Sequence, residues 1–340
     1  MSGYSCKFLN EQITFYPDNI STCCSGFASP RLYEIEDGKR IDFDELVKTK
    51  YAVVEDFKNG QINNSILKEY LKLSCEECPH LCEYDEKAEY KQFKRILINH
   101  FTGCNCACTY CVRDTYLTQE EKQSKPKYEL LPIIEEMYRK NLISKEHLEI
   151  VFQGGDIGCL KEFKDLVRVF HQNSNAYFLI STNNIIYHPI LEKLFSENRL
   201  HMSVAIDSGS REMFRKIKRV DKFDNVINNI KKYFKNSKTA PDIVLKYIIV
   251  NKVNDNLKEF VKFIDIVQNT GVKSVVISID FNNIMNLLPK EDKYFEIPKY
   301  YYDLINSFFE EAQKRNIHIC IDDYSKSIYE KGFFGNRPNI

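Results

Sequence analysis

The chain has 340 residues, and 48 Lys and Arg balance 48 Asp and Glu, so its formal net charge is zero. That balance argues against a generic binder of nucleic acid or anionic membrane, which would present a basic face. No apolar run is long enough to cross a bilayer, and the opening "MSGYSCKFLNEQ" lacks a charged stretch followed by an apolar one, so a cytoplasmic protein with no membrane span is expected.

Residues 1–92 read as a small, cysteine-rich α+β region. "QITFY" (12–16) and "YAVVEDF" (51–57) are strand-like, while "DFDELVKT" (42–49), with an Asp cap, and "NNSILKEYLKL" (63–73) are short helical candidates. From residue 93 short apolar runs alternate with amphipathic ones. "FKRILINHF" (93–101) reads as a strand, and after the polar connection "LTQEEKQSKPKYE" (117–129) the spacing of "LLPIIEEMYRKNLI" (130–143) is helical. The pair repeats as "HLEIVFQ" (147–153) and "LKEFKDLVRVFHQN" (160–173), then as "AYFLIST" (176–182) and "HPILEKLFSEN" (188–198). It continues as "HMSVAID" (201–207) and "FDNVINNIKKYFK" (223–235), "DIVLKYIIV" (242–250) and "NLKEFVKFIDIVQNTG" (256–271), and "KSVVISIDF" (273–281) and "KYYYDLINSFFEEAQKRN" (299–316). A further candidate strand is "IHICIDD" (317–323).

Apolar strands alternating with helices imply a parallel sheet covered by helices. The expected fold is α/β: a partial (β/α)6 TIM-type barrel over 93–323, after the N-terminal region 1–92 and before a tail, 324–340. A doubly wound open sheet is the alternative. Either way ligands belong at the carboxyl ends of the strands.

Twelve cysteines in a chain expected to stay reduced point to metal ligation rather than disulfides. Cys159 and Cys320 stand alone and read as small core residues; the others cluster. Cys104, Cys108 and Cys111 form C-x3-C-x2-C just after the first barrel strand. Three thiolates can hold three irons of a [4Fe–4S] cluster and leave the fourth iron for another ligand, whereas electron carriers use four cysteines.

"CNCACTYC" (104–111) resembles the signature C-x3-C-x-aromatic-C of the radical S-adenosylmethionine (radical SAM) enzymes, with Tyr110 in the aromatic position. The resemblance spans about 93–323. It implies that the open iron chelates S-adenosylmethionine, which is cleaved reductively to a 5′-deoxyadenosyl radical that takes hydrogen from a substrate. "QGGD" (153–156) resembles the family's Gly-Gly-Glu, which holds the methionyl ammonium: Gly154 and Gly155 let the backbone approach, and Asp156 replaces the Glu with a shorter arm. "STNN" (181–184) looks like S-T-N-G, where Thr182 and Asn183 face ribose or methionine, or form an ordinary turn. "VAIDS" (204–208) is similar to the family's strand ending in Asp-Gly or Asp-Ser, which singles out Asp207. "IKRVDKF" (217–223) resembles I-R-G, with Lys218 in the Arg column and Arg219 in the Gly column. Arg219 is the expected partner of the cofactor's carboxylate, because its planar fork pairs bidentately. Cys106 would block the cofactor if it took the fourth iron, so a non-ligand packed beneath the loop is expected. Lys246 interrupts an apolar strand and faces substrate or cofactor, or leans out between helices.

"CKFLNEQITFYPDNISTCC" (6–24) resembles the auxiliary-cluster modules (SPASM or twitch type) of the same enzymes, where the module usually follows the barrel. "CEECPHLC" (75–82) adds C-x2-C-x3-C. Cys6, Cys24, Cys75 and Cys78 are the first ligand set for a second [4Fe–4S] cluster, with Cys23 and Cys82 as contenders and a four-cysteine Zn2+ site as the competing reading. The resemblance also implies a flavodoxin- or ferredoxin-type electron donor. The substrate is expected to be a small metabolite or a nucleotide sugar of surface-glycan synthesis, the alternative being a ribosomal peptide under maturation. A non-enzymatic zinc scaffold would explain the cysteines but not Gly154, Gly155, Asp207 and Arg219 at or just after successive strand ends.

Overall fold

The computed structural model describes residues 4–22, 31–36, 40–59, 81–83, 92–111, 126–280 and 299–322. The chain divides into two units, Met1–Gly103 with Gln123–Leu179, and Cys104–Lys122 with Ile180–Ile340.

The described elements of the first unit are β1 (Tyr4–Cys6), α1 (Lys7–Glu11), β2 (Gln12–Phe15), β3 (Asn19–Ser21), β4 (Arg31–Glu34), α2 (Phe43–Lys58), β5 (Leu81–Glu83), β6 (Arg95–Ile98), α3 (Leu131–Arg139), β7 (Leu148–Phe152), α4 (Phe163–Asn173) and the start of β8 (Ala176–Thr182). β6 pairs parallel with β7. The N-terminal β2 also joins β6 in parallel, Ile13 opposite Ile96 and Phe15 opposite Ile98, and β3 and β4 continue from it antiparallel. All four residues of β2 are buried, which accounts for its apolar pattern, and its two polar side chains bond each other, Gln12 Nε2 to Thr14 Oγ1 at 3.2 Å. Away from that sheet, β1 and β5 form an antiparallel pair that sets Ser5 opposite Cys82 and Cys6 opposite Leu81.

"YAVVEDF" is helical rather than a strand. It completes α2, whose buried residues Phe43, Leu46, Lys50, Val53, Val54 and Phe57 keep a three-to-four spacing, and Asp42 caps the helix by accepting the Asp44 and Glu45 N–H groups at 2.9 and 3.1 Å. The β-branched pair Val53 and Val54 suggests a strand locally, but the burial period of the whole segment overrides it. "NNSILKEYLKL" lies outside the described residues.

The second unit takes the end of β8, then α5 (Ile190–Ser196), β9 (Leu200–Ala205), α6 (Arg211–Lys218), α7 (Phe223–Asn236), β10 (Asp242–Ile249), α8 (Leu257–Thr270), β11 (Ser274–Ile279), α9 (Lys299–Lys314) and β12 (His318–Ile321). β9, β10, β11 and β12 run parallel in that order. Leu245, Tyr247, Ile249, Val275 and Ile277 are fully buried, and Tyr247 packs against Phe260 of α8 and Phe308 of α9. The alternate residues Ala205, Lys246, Ile248 and Val276 are half-buried, so one face of the sheet is covered by helices and the other is open.

The fold is thus a mostly parallel α/β sheet with helices, a partial TIM-type barrel. Six strand–helix units run from β6 to α9, and the seventh strand expected at 317–323 is β12. β4 and β12 each have one partner among the described strands, so the barrel is not closed. Among the described residues no helix is long and apolar enough to cross a membrane.

Candidate functional site

The loop carrying the four cysteines is fixed by the end of α6. A helix leaves its last carbonyls without intrahelical donors; here Thr109 N–H donates to the Ile217 carbonyl at 2.9 Å and Ala107 N–H to that of Lys218 at 3.1 Å. Cys111 N–H turns back to the Cys108 carbonyl at 3.1 Å. Ser210 caps the start of α6 by accepting Met213 N–H, and Arg219 ends it in the left-handed region at φ 58°.

Cys104, Cys106, Cys108 and Cys111 are all half-buried. The Cys106 thiol hydrogen-bonds Cys104 and Cys108, and these bonds together with burial push its pKa up. Cys108 moves the other way, to about 6, because Cys106 donates to it and Lys218 is close, against the opposing effect of burial. Asn183, buried at the end of β8, sends Nδ2 to Asn105 Oδ1 at 2.6 Å and to Cys104 Sγ at 3.8 Å. Asn105 Nδ2 is itself buried without an acceptor among the described residues.

Behind Cys108 lies a buried polar knot. Asp207 follows β9 at φ 59° and is fully buried, as is Lys218 to within 1%. Lys218 Nζ donates to Asp207 Oδ2 and, at 2.6 Å, to the Tyr110 hydroxyl, which lies 2.5 Å from the same carboxylate oxygen and also meets the Cys108 thiol. The other carboxylate oxygen of Asp207 accepts Ile248 N–H at 2.8 Å. Burial works against the Lys218 ammonium, but Asp207 and Cys108 hold its pKa above the ordinary value. Asn254, fully buried after β10, donates to the carbonyls of Asp207 and Ile248, both at 2.8 Å, and accepts Val250 N–H at 2.7 Å. The sequence places Lys218 in the Arg column of the I-R-G resemblance without giving it a role, and it does not single out Asn254. The signal for Lys218 was its place four residues after Phe214 and one after Ile217, on the buried face of α6. For Asn254 no such signal exists.

The remaining expected residues are placed as follows. Arg219 is exposed and has no carboxylate partner among the described residues. Thr182 points to the covered side, where its Oγ1 accepts Asn184 N–H at 2.9 Å. In the first unit Gly154 takes φ 94°, and a Cβ on it would meet Asn99 Oδ1; a Cβ on Gly155 would collide with the Gly103 carbonyl oxygen. Gly155 N–H donates to the Phe101 carbonyl at 3.0 Å and Asp156 N–H to that of Gly103 at 2.8 Å, so only glycine allows this approach. The Asp156 carboxylate is buried and accepts Gly158 N–H at 2.9 Å, capping a 3-10 turn over Ile157–Cys159. Cys159 and Cys320 are exposed rather than core residues. Of the N-terminal cysteines, Cys6 is buried on β1 and Cys82 exposed on β5; Cys23, Cys24, Cys75 and Cys78 lie outside the described residues.

These donors suit an iron–sulfur cluster. Soft thiolates bind iron and zinc, Cys108 already favours the thiolate, and the orphaned Asn105 amide offers a hydrogen bond to an acceptor near the loop. Among the described residues no three His, Cys, Asp or Glu side chains converge on one metal ion. A cluster whose irons each take one thiolate does not require that.

Residues 98–280 match the family model of the Radical SAM superfamily. Among curated proteins, the probable GTP 3′,8-cyclase of Saccharolobus solfataricus is 27% identical over 188 residues, which cover 53% of this chain and 54% of that protein. The GTP 3′,8-cyclase of Helicobacter pylori is 23% identical over 209 residues, covering 58% and 63%. The chain thus spans less than two thirds of the length of either relative. Among solved structures, SuiB of Streptococcus suis bound to the precursor peptide SuiA superposes with a TM-score of 0.52 at 12% identity, covering 87% of this chain and 58% of that one. At that identity the likeness is one of fold.

Proposed function

The chain belongs to the radical SAM superfamily and is an enzyme, and from that premise we propose that Cys104, Cys108 and Cys111 hold a [4Fe–4S] cluster and that the substrate is a small polar metabolite. When bound, the cluster and S-adenosylmethionine supply reductive cleavage to a 5′-deoxyadenosyl radical, which takes hydrogen from the substrate. The observation that carries the reading is the cysteine loop itself, three spaced thiols braced on the end of α6, with the Cys106 thiol in hydrogen-bond reach of two of them. Arg219, exposed just beyond the loop's anchor, is the proposed partner of the cofactor's carboxylate. In the first unit the Gly154–Gly155 turn supports a backbone contact with the methionyl ammonium, while the Asp156 carboxylate is engaged with its own turn.

For the substrate, the face of the second unit's sheet turned from the helices carries the half-buried Lys246 in β10, the buried Ser278 in β11 and Asp322 just after β12. Lys246 Nζ stands 3.6 Å from Asp322 Oδ2, and Ser278 Oγ donates to the same carboxylate. Charged groups at the carboxyl ends of parallel strands suit a ligand with phosphate, carboxylate or sugar hydroxyls. The GTP 3′,8-cyclase names of the relatives agree with a small nucleotide-class molecule rather than a peptide. A reduced flavodoxin or ferredoxin is the proposed electron donor.

The test is anaerobic reconstitution with iron and sulfide, followed by 5′-deoxyadenosine assays with dithionite. Nucleoside triphosphates, nucleotide sugars and peptides are then added in turn. Stimulation by a nucleotide-class compound that Lys246→Ala abolishes supports the substrate reading; stimulation by peptides alone would replace it. A protein that binds zinc and no iron would remove the cluster reading itself.

A further inference from the structure

At the end of α6 four cations face solvent beside the cysteine loop, and among the described residues none of them has an ion pair. Building on the three-thiolate cluster proposed above, we infer that Arg215, Lys216, Arg219 and Lys222, grouped at the exposed edge of that loop, form the docking surface for an acidic electron-carrier protein that passes one electron to the cluster.

The grouping follows from the helix period. Phe214, Ile217 and Lys218 fill the buried face of α6, so Glu212, Arg215, Lys216 and Arg219, at the intervening positions, are exposed. Lys222 follows in the turn before α7 and is exposed as well. The nearby acids do not cancel this charge. Arg211 engages Asp221 at 3.7 Å and also Asp224, which leaves Glu212 in the first turn of α6 against four cations. The whole chain has no net charge, so this surface is a local excess and not a share of a basic protein.

The surface adjoins the proposed ligands through the backbone. Thr109 and Ala107 N–H donate to the Ile217 and Lys218 carbonyls at 2.9 and 3.1 Å, which lays the loop against the helix end. Arg215 stands three residues before Lys218, about 4.5 Å along the axis. Within the loop, Ala107 and Thr109 are exposed while Cys106, Cys108 and Tyr110 are half-buried. Its outer edge therefore bears small uncharged side chains, and a partner can approach the thiols without displacing a bulky or charged group. Cations around a small neutral centre suit a partner with an acidic face. Electron-transfer encounters bury little area, and charge steering sets their rate. In the transfer the carrier loses one electron, the cluster gains it, and no bond or proton changes.

The experiment uses reconstituted protein with a flavodoxin and with a ferredoxin, each reduced by its NADPH-dependent reductase. Wild type is compared with Arg215→Glu/Lys216→Glu/Lys222→Glu, with the same three positions changed to Gln, and with Lys231→Glu/Lys235→Glu. These last two are exposed cations about 12 and 18 Å along α7 from its start. Arg219 is left intact, because a contact with the cofactor's carboxylate is proposed for it. Calorimetry measures affinity for the oxidised carrier, and stopped flow measures bleaching of the cluster, both at low and at physiological salt and without S-adenosylmethionine. Photoreduced deazariboflavin, a small reductant, reports on the cluster without docking and should reduce all four proteins alike. At low salt the Glu variant should bind the carrier, and accept its electron, at least about tenfold less well than wild type. The Gln variant should fall between them, the α7 variant should match wild type, and salt should narrow the gaps. A wild type that neither deazariboflavin nor a carrier reduces would overturn the three-thiolate reading, and this surface with it. A wild type reduced by deazariboflavin but by neither carrier would overturn the surface alone. Equal carrier rates in wild type and the Gln variant, or an equal loss in the α7 variant, would do the same. Gln keeps a long polar side chain at each position, so the test survives even if the Glu variant fails to fold.

Discussion

Four thiols share one loop, and a cluster that keeps an iron open for a cofactor has room for only three. The resemblance to C-x3-C-x-aromatic-C makes Cys104, Cys108 and Cys111 the proposed ligands and leaves Cys106 inside the x3 segment. What the spacing did not reveal is how close Cys106 remains: its thiol bonds both Cys104 and Cys108. Cys104→Ala, Cys108→Ala and Cys111→Ala should each abolish 5′-deoxyadenosine formation with dithionite. Cys106→Ala removes a hydrogen bond beside the ligands, so it should keep the cluster and lose no more than about tenfold in rate. Equal loss in all four would mean that the ligands are misassigned. Arg219 allows a second residue-level test, because its backbone and side chain ask for different residues. The left-handed φ of 58° suits glycine, so Arg219→Gly should stabilise the end of α6 by about 1 kcal/mol. If the guanidinium also pairs with the cofactor's carboxylate, the same variant should bind S-adenosylmethionine about ten- to a hundredfold more weakly by calorimetry. Unchanged affinity in the stabilised variant would return Arg219 to the surface.

At the scale of elements, the strands and most helices were legible from residue 93 onward because burial gives each its own period; α6, at eight residues, was not read as a helix. α2 was legible only in part: the Asp42 cap marks its start, while Val53 and Val54 disguise its second half. Its most informative residue is Lys50, which is buried with Nζ 4.0 Å from the centre of the Phe93 ring. Burial lowers its pKa to about 8, with Glu11 partly offsetting the shift. The folded pKa lies below the unfolded one, so between pH 8 and the ordinary lysine range the unfolded chain binds more protons and stability rises with pH. Below pH 8 the charge is present in both states and its burial is a standing cost. Lys50→Met should therefore raise stability at pH 7 by about 1–2 kcal/mol, less whatever the cation–π contact contributed. It should also remove the rise between pH 8 and 10. Urea melts at pH 7, 8, 9 and 10 decide this; a variant less stable than wild type at pH 7 would show that the lysine earns its place through the ring contact.

At the scale of the whole molecule, the remaining question is whether the chain carries one cluster or two. The barrel half could be inferred from its repeating period, whereas the N-terminal cysteines offer only spacing, which iron–sulfur and zinc sites share. The paired strands β1 and β5 add one fact: they bring the Cys6 segment against the Cys82 segment, with Ser5 opposite Cys82. That register strengthens Cys82 as a companion of Cys6, beside the proposed ligands Cys24, Cys75 and Cys78. The barrel cluster needs an open iron, and six thiols before residue 93 are enough to close a separate site. Wild type reconstituted anaerobically should hold about eight irons per chain, as two [4Fe–4S] clusters require. Cys75→Ala with Cys78→Ala should leave about four and keep uncoupled 5′-deoxyadenosine formation, while turnover of the substrate is lost. Cys82→Ala alone should show the same fall if Cys82 is a ligand and no fall if Cys24 takes that place. Iron, sulfide and zinc are assayed on the same samples, because a wild type with about four irons and one zinc would make the N-terminal site a structural clasp. Chelation would then unfold the N-terminal segment and leave S-adenosylmethionine cleavage intact, an outcome that two redox clusters do not predict.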